Sequence, residues 1–244
     1  MKTVLVTGAS RGIGASIAVA FAQQGYAVVI NYNNSKEKAE NLAKIILDSY
    51  KVPALAVKCD VSDYSQVQEM FNTVNDSFGG VDVLVNNAGI SSQKLFTDLS
   101  PQDWKDTMST NLDSMFYCCK SALPYMISKK SGVIINISSM WGQVGASCEV
   151  HYSTAKAGVI GLTKALAKEV ASSGIRVNCI APGVIMTDMM SSFDEQTVNE
   201  LKEETPLQKL GTPKNIADAA VFLASSKAEF ITGQILGVNG GFII

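Results

Sequence analysis

The 244-residue chain has a single histidine, and its five cysteines (Cys59, Cys118, Cys119, Cys148 and Cys179) include no Cys-x-x-Cys pair. An odd set without ligand spacing argues against a disulfide framework and a zinc site, and suits a reducing compartment such as the cytoplasm. Charge is scarce too. Charged residues make up 17%, and 20 Lys+Arg against 22 Asp+Glu leave a formal net charge of −2. Without a broad positive field, neither nucleic acid nor an anionic membrane is expected as a partner. No apolar run approaches the ~18 residues of a membrane span. The amino end turns glycine-rich by Gly8, too early for a secretory leader, so none is expected. No Pro/Ser-rich linker or low-complexity tract divides the chain, which predicts one domain over residues 1–244. Hydrophobic residues, at 47%, are enough for a sizeable core.

What is present alternates between two periods. Short β-rich runs at Thr3–Thr7, Ala27–Asn31, Ala54–Cys59, Val81–Asn86, Val133–Ser138, Arg176–Ile180 and Gln234–Val238 predict strands. Between the first six lie segments with helical spacing: Ile13–Gln24, Lys36–Ser49, Ser65–Ser77, Leu112–Ser128 and Tyr152–Ser172. Strand–helix alternation implies right-handed βαβ units and an α/β fold with a doubly wound parallel sheet. Runs such as Val4-Leu5-Val6 are continuously apolar, as strands covered on both faces must be. The irregular stretch Ala181–Pro213 holds a polar, helix-like portion around Phe193–Glu204 and reads as a lid over a site.

The first strand runs into Thr7-Gly8-Ala9-Ser10-Arg11-Gly12-Ile13-Gly14 and then a helix. Glycines let the backbone turn tightly against a pyrophosphate, and the helix start offers free N–H groups. The second strand ends in Asn31, with Asn33, Asn34 and Ser35 after it and no carboxylate before Glu37. An NAD site places an acidic residue near here for the ribose hydroxyls. Arg11 with the polar groups of Asn33, Asn34 and Ser35 suits a 2′-phosphate instead, which predicts NADP(H) as cofactor.

Tyr152 and Lys156 stand one helical turn apart on one face. An ammonium beside a phenol favours the phenolate, so the tyrosine is expected below its usual value of about 10. Ser139 lies at a strand end, where parallel-sheet sites open, and its hydroxyl can hold a carbonyl oxygen while the tyrosine moves a proton. His151 is expected to be a half-exposed helix-start residue without a catalytic part.

These motifs together resemble the short-chain dehydrogenase/reductase family over essentially the whole chain, through Val238-Asn239-Gly240-Gly241. Thr7–Gly14 is similar to its TGxxxGxG cradle, Asn86-Asn87-Ala88-Gly89 to its NNAG motif, and Ser139, Tyr152 and Lys156 to its catalytic trio. The resemblance implies a seven-stranded Rossmann-type sheet, hydride transfer at nicotinamide C4 without a metal, and a homotetramer built on the Leu112–Ser128 and Tyr152–Ser172 helices. It implies that Tyr152 is the general acid in reduction, with Lys156 binding the nicotinamide ribose and Ser139 orienting the carbonyl. Asn111 would hold a proton-relay water. It assigns Asp60 and Val61 to the adenine, Asn87, Ala88 and Gly89 to the cofactor, and Pro182, Gly183 and Thr187 to the nicotinamide.

Two substrates stand side by side within that resemblance. The overall pattern looks like the β-ketoacyl-(acyl carrier protein) reductases, whose carrier docks on basic residues; Lys129 and Lys130 suit such a patch, while Ser173 replaces an arginine common there. The loop from Trp141 to Val150, with Cys148 and Glu149, looks like the elongation factor P 5-aminopentanone reductases. An aminopentanone ends in an ammonium that Glu149 can pair with and Trp141 can face. Trp141, Cys148 and Glu149 are therefore expected to line the substrate pocket, unless Glu149 caps the helix and Trp141 is core. Another alcohol or sterol dehydrogenase of the family, and an inactive nucleotide-sensing binding protein, complete the readings.

Overall fold

Valine and isoleucine runs that are apolar on both faces pack stably only in the middle of a parallel sheet covered by helices. The structure, a computed structural model that describes residues 1–187 and 194–244, has that sheet. Strands β1 (Thr3–Val6), β2 (Ala27–Tyr32), β3 (Ala54–Lys58), β4 (Val83–Asn86), β5 (Gly132–Ile137), β6 (Ile175–Pro182) and β7 (Ile235–Val238) pair in parallel in the order β3-β2-β1-β4-β5-β6-β7. Every residue of β1, β2 and β4 is buried. Adjacent side chains enter opposite layers: Val4 and Val6 meet Ile17, Phe21 and Ile216, whereas Leu5 meets Val67, Phe71 and Met126.

The first layer is built from α1 (Gly12–Gln23), α2 (Lys36–Tyr50) and α9 (Pro213–Ala224), the second from α3 (Tyr64–Phe78), α5 (Ser114–Lys129) and α7 (Val150–Val170). Phe21 is fully buried and meets the Tyr26 ring edge-on at 5.1 Å. Truncating such a side chain to alanine costs about 3–5 kcal/mol. Four cysteines end up inside: Cys59 after β3, Cys118 and Cys119 on α5, and Cys179 in β6; Cys148 is partly exposed.

The expected strands appear within a residue or two. The helix expected from Leu112 begins differently, because Ser109–Asp113 forms a π turn before α5. Three helical segments were not anticipated: α4 (Pro101–Met108), the short α6 (Trp141–Val144) and α9. The polar stretch expected around Phe193–Glu204 is helix α8, Glu195–Glu204, capped by Asp194; Phe193 lies outside the described residues. Of the segment 181–213 read as a lid, Ala181 and Pro182 belong to β6. Its ends are tied by main-chain bonds from Gly211 to Val184 and from Met186 to Gly211, both 2.9 Å. Its middle, 188–193, lies outside the described residues.

β1 and β4 are neighbours although the chain leaves β1 in one direction and β4 in the other. Ligands of doubly wound sheets sit at such a reversal, beyond the carboxyl ends of the strands.

Candidate active site

A cleft of about 1310 Å³ opens at that place and takes its lining from the ends of β1 through β6. One small ligand occupies ~300–1,000 Å³, so the space suits a dinucleotide with a second molecule.

At its floor, Gly8 has φ +61, and a Cβ added there would lie 2.9 Å from Ala88 Cα. A Cβ on Gly14 would lie 2.6 Å from both Asn87 Nδ2 and the Gly8 carbonyl oxygen. The turn is therefore held tight by the segment after β4. Thr7 Oγ1 accepts from the amides of Asn87 (2.9 Å) and Ala88 (3.0 Å), and Asn87 Nδ2 donates to the Thr7 carbonyl at 2.9 Å. Asn87 thus braces the cradle. So does Asn31, whose side chain accepts from the Gly8 amide (3.0 Å) and donates to the Cys59 carbonyl (3.0 Å). Asn31 also lines the cleft, where it was expected to meet the cofactor, while its amide holds the turn.

α1 opens with neither a side-chain cap nor an acidic residue in its first turn, which leaves its leading N–H groups facing the cleft for an anion. Ser10, Arg11, Gly12 and Ile13 line this end. Asn33, Asn34 and Ser35 line its outer corner, and among the described residues neither they nor Arg11 makes a side-chain hydrogen bond. Asp60 and Val61 line the wall between; the Asp60 carboxylate accepts from Ser62 Oγ at 2.7 Å. Ala88, Gly89, Pro182, Gly183 and Thr187 line the inner end. These groups fit a phosphorylated dinucleotide: backbone donors at the turn, polar and cationic side chains at one end.

Ser139, Tyr152 and Lys156 converge at the inner end. Ser139 follows β5, and Ser138 Oγ donates to the Lys156 carbonyl (2.8 Å), which fastens α7 to that strand end. Lys156 is 3% exposed; its Nζ donates to the Ile137 carbonyl at 2.9 Å and stands 5.6 Å from the Tyr152 ring centre. Asn111, on the π turn, is fully buried. Its Oδ1 accepts from the Ile90 amide (2.7 Å) and its Nδ2 donates to the Ile90 carbonyl (2.8 Å). Asn111 braces the loop after β4 with this amide, close behind Gly89.

The electrostatics correct one expectation. Burial pushes the Tyr152 phenol up to about 12, the Ser139 hydroxyl opposes this, and the Glu149 carboxylate adds to it. The ammonium was expected to win and hold the phenol below 10. Burial is instead the largest influence on the phenol, and it also pushes Lys156 down to about 8. The site therefore keeps its phenol protonated at neutral pH.

The pocket loop divides. Trp141 lines the cleft and meets the Phe242 ring edge-on at 6.0 Å. Glu149 lines it too; it occupies the N-cap position of α7 without making a capping bond, and accepts from Gln93 Nε2 at 3.3 Å. Cys148 does not line it. A left-handed backbone (φ +61) turns Cys148 out, its carbonyl accepting from the Lys94 amide at 2.9 Å. His151 was expected to be half exposed; it is fully buried, with Nε2 3.0 Å from Ser92 Oγ. Ser147, in the pocket loop, also lines the cleft, as do Ser92, Gln93 and Thr110, which were not anticipated. Their polar, irregular loops carry no periodic signal. Lys129, read as part of a docking patch, is ion-paired with Asp82.

Residues 8–243 match the family model described as enoyl-(acyl carrier protein) reductase. The 3-oxoacyl-(acyl-carrier-protein) reductase FabG of Staphylococcus aureus is 46% identical over 240 residues, covering 98% of this chain and 97% of its own. The enzyme of that name from Vibrio cholerae is 43% identical, over 98% and 96%. Among solved structures, 3-oxoacyl-(acyl-carrier protein) reductase from Brucella melitensis superposes with a TM-score of 0.94 at 33% identity, covering 100% of this chain and 92% of its own.

Proposed function

The chain belongs to the short-chain dehydrogenase/reductase family, and on that footing we propose that it is an NADPH-dependent ketoreductase, most like the 3-oxoacyl-(acyl carrier protein) reductases. The observation that carries this reading is the convergence of Ser139, Tyr152 and Lys156 at the inner end of the dinucleotide cleft, with the phenol held protonated. The Gly8–Gly14 turn would hold the cofactor's pyrophosphate, and the nicotinamide would supply the hydride. Ser139 Oγ orients the substrate carbonyl, and Tyr152 gives its proton to the oxygen as the alcohol forms. Lys156, beside the Tyr152 ring, would hold the nicotinamide ribose and stabilise the phenolate left behind. Asn111, whose side chain fastens Ile90 beside the inner end, is the residue that the family pattern assigns to a relay water. Such an intact trio has no use in an inert nucleotide-sensing module.

Arg11 with Asn33, Asn34 and Ser35 supports NADPH over NADH. Arg11→Ala is expected to cut the NADPH/NADH ratio of kcat/KM about tenfold, the loss of one charge-assisted contact. The half-exposed apolar face of α4 and α5, with Trp104, Phe116 and Ile127, supports a homotetramer. No helix of the described residues is long and apolar enough to cross a membrane, and the reduced cysteines support a cytoplasmic place.

A specific observation favours a second substrate. Glu149 and Trp141 both line the cleft, and the Glu149 carboxylate makes no capping bond, its one partner among the described residues being Gln93. A neutral acyl thioester has no partner for that carboxylate, whereas the ammonium of a 5-aminopentanone on elongation factor P does. Ser173 carries no charge for an acidic carrier, and Lys129 shares its charge with Asp82. The deciding experiment compares NADPH oxidation with acetoacetyl thioester and with elongation factor P bearing the aminopentanone. Preference for the thioester confirms the first substrate, and preference for the modified factor the second. Turnover with neither refutes both.

A further inference from the structure

The direction of the Tyr152 ring is inherited from the first turn of α7, and the ordinary anchors of a helix start are missing there. Glu149 makes no capping bond, and no acidic residue stands in the first turn. The anchor lies to the side. Ser92, Gln93 and Lys94, in the loop after β4, bond in reverse order to His151, Glu149 and Cys148. The contacts are Ser92 Oγ to His151 Nε2 at 3.0 Å, Gln93 Nε2 to Glu149 at 3.3 Å, and the Lys94 amide to the Cys148 carbonyl at 2.9 Å. This loop is held from behind, where Lys94 Nζ donates to Asp103 at 2.7 Å and Asp103 caps α4 in turn.

Of the three contacts, the one at His151 is the most buried and lies next to the reacting tyrosine. The imidazole is only half satisfied there. Its Nδ1 is buried without a partner, and an unmet polar group of this kind costs about 1–3 kcal/mol. A leucine avoids that cost, while Ser92, facing the cleft, would exchange its lost partner for water. Stability therefore does not account for the histidine. We propose that His151 is a positioning residue: its hydrogen bond to Ser92 locks the first turn of α7 against the loop after β4 and so aims the Tyr152 hydroxyl at the substrate. The inference rests on the ketoreductase reading of this site. Displacing a reacting group by 1 Å costs about 100-fold, and loosening one lateral bond a fraction of that.

His151→Leu and Ser92→Ala are each expected to lower kcat about tenfold, with the NADPH KM within about twofold and the melting temperature within about 3 °C. The solvent deuterium isotope effect on kcat rises as proton delivery becomes limiting. His151→Gln, whose amide reaches the same place, restores most of kcat. The double variant loses no more than either single one, since both delete the same bond. Apart from turnover, with 13Cζ-labelled tyrosine the Tyr152 resonance, assigned through Tyr152→Phe, is sharp in the wild type and broadened or split in both variants. An unchanged resonance, losses that multiply in the double variant, or a kcat that falls only with melting temperature would overturn the proposal. Broadening in a protein that reduces neither ketone would sink the ketoreductase reading and leave the positioning intact.

Discussion

Lys156→Met removes a charge that the fold buries at a cost. Lys156 is 3% exposed, and among the described residues no carboxylate pairs with it. Burial takes its ammonium from 10.5 to about 8. At about 1.4 kcal/mol per tenfold change in proton affinity, the native state gives up about 3 kcal/mol below pH 8. Methionine is close in volume and carries no charge. The hydrogen bond to Ile137 is lost, which takes back about 1–2 kcal/mol. The net gain, about 1–2 kcal/mol, raises the melting temperature by about 3–6 °C for a chain of this size. The pH dependence follows from the depressed value. Between pH 8 and 10.5 the unfolded lysine stays protonated while the native one does not, so wild-type stability rises through that window. The advantage of the variant is therefore present at pH 7 and fades toward pH 10.5. Groups common to both proteins cancel in the difference. Calorimetry of the pair at pH 7 and pH 10, beside the turnover that the variant loses, is the assay. A variant less stable at pH 7, or a difference indifferent to pH, refutes the reasoning.

Other perturbations separate binding from chemistry. Tyr152→Phe is expected to lose about 10²–10⁴ in kcat while a fluorescence titration with NADPH stays unchanged. Gly14→Ala puts a Cβ 2.6 Å from Asn87 Nδ2 and from the Gly8 carbonyl oxygen, so the same titration should show NADPH weakened tenfold or more, about 1–3 kcal/mol. Glu149→Gln removes a carboxylate that raises the phenol, so the rise of alcohol oxidation with pH, which needs the phenolate, moves to lower pH. That variant should also cost about tenfold in kcat/KM for an ammonium-bearing ketone and little for a thioester, as parallel assays of the two substrates would show.

The sheet and cradle were legible because each imposes a local pattern. Strands buried on both faces must be apolar throughout, and a turn pressed against Ala88 and Asn87 must be glycine at fixed positions. α4 and α9 escaped notice although both announce themselves in cap chemistry, Ser100-Pro101-x-Asp103 and Thr212-Pro213-x-Asn215. α4 buries only Thr107, so it lacks the apolar stripe that periodicity detects. The burial of His151 depends on Ser92, 59 positions away, and no local pattern encodes such a contact. The left-handed turn at Cys148 uses a residue type that does not favour it. The balance at Tyr152 was misjudged for a related reason. Spacing shows that a lysine is near, whereas the burial that is the largest influence comes from the whole fold.

The distribution of thiols makes the protein its own stability gauge. Burial holds Cys59 and Cys119 up at about 12 and Cys179 at about 11, and it raises Cys118 as well, so none supplies thiolate to an alkylating reagent while the fold is closed. They stand at separate places: the β3 end, the middle of α5, and β6 near Lys156. Each reacts only when its own neighbourhood opens, so its alkylation rate reads the free energy of that local opening. Cys148, at the surface, marks the start of the clock. Mass spectrometry of slowly alkylated protein would then show, with no introduced probe, whether the cradle side and the catalytic side of the sheet come apart together or in turn.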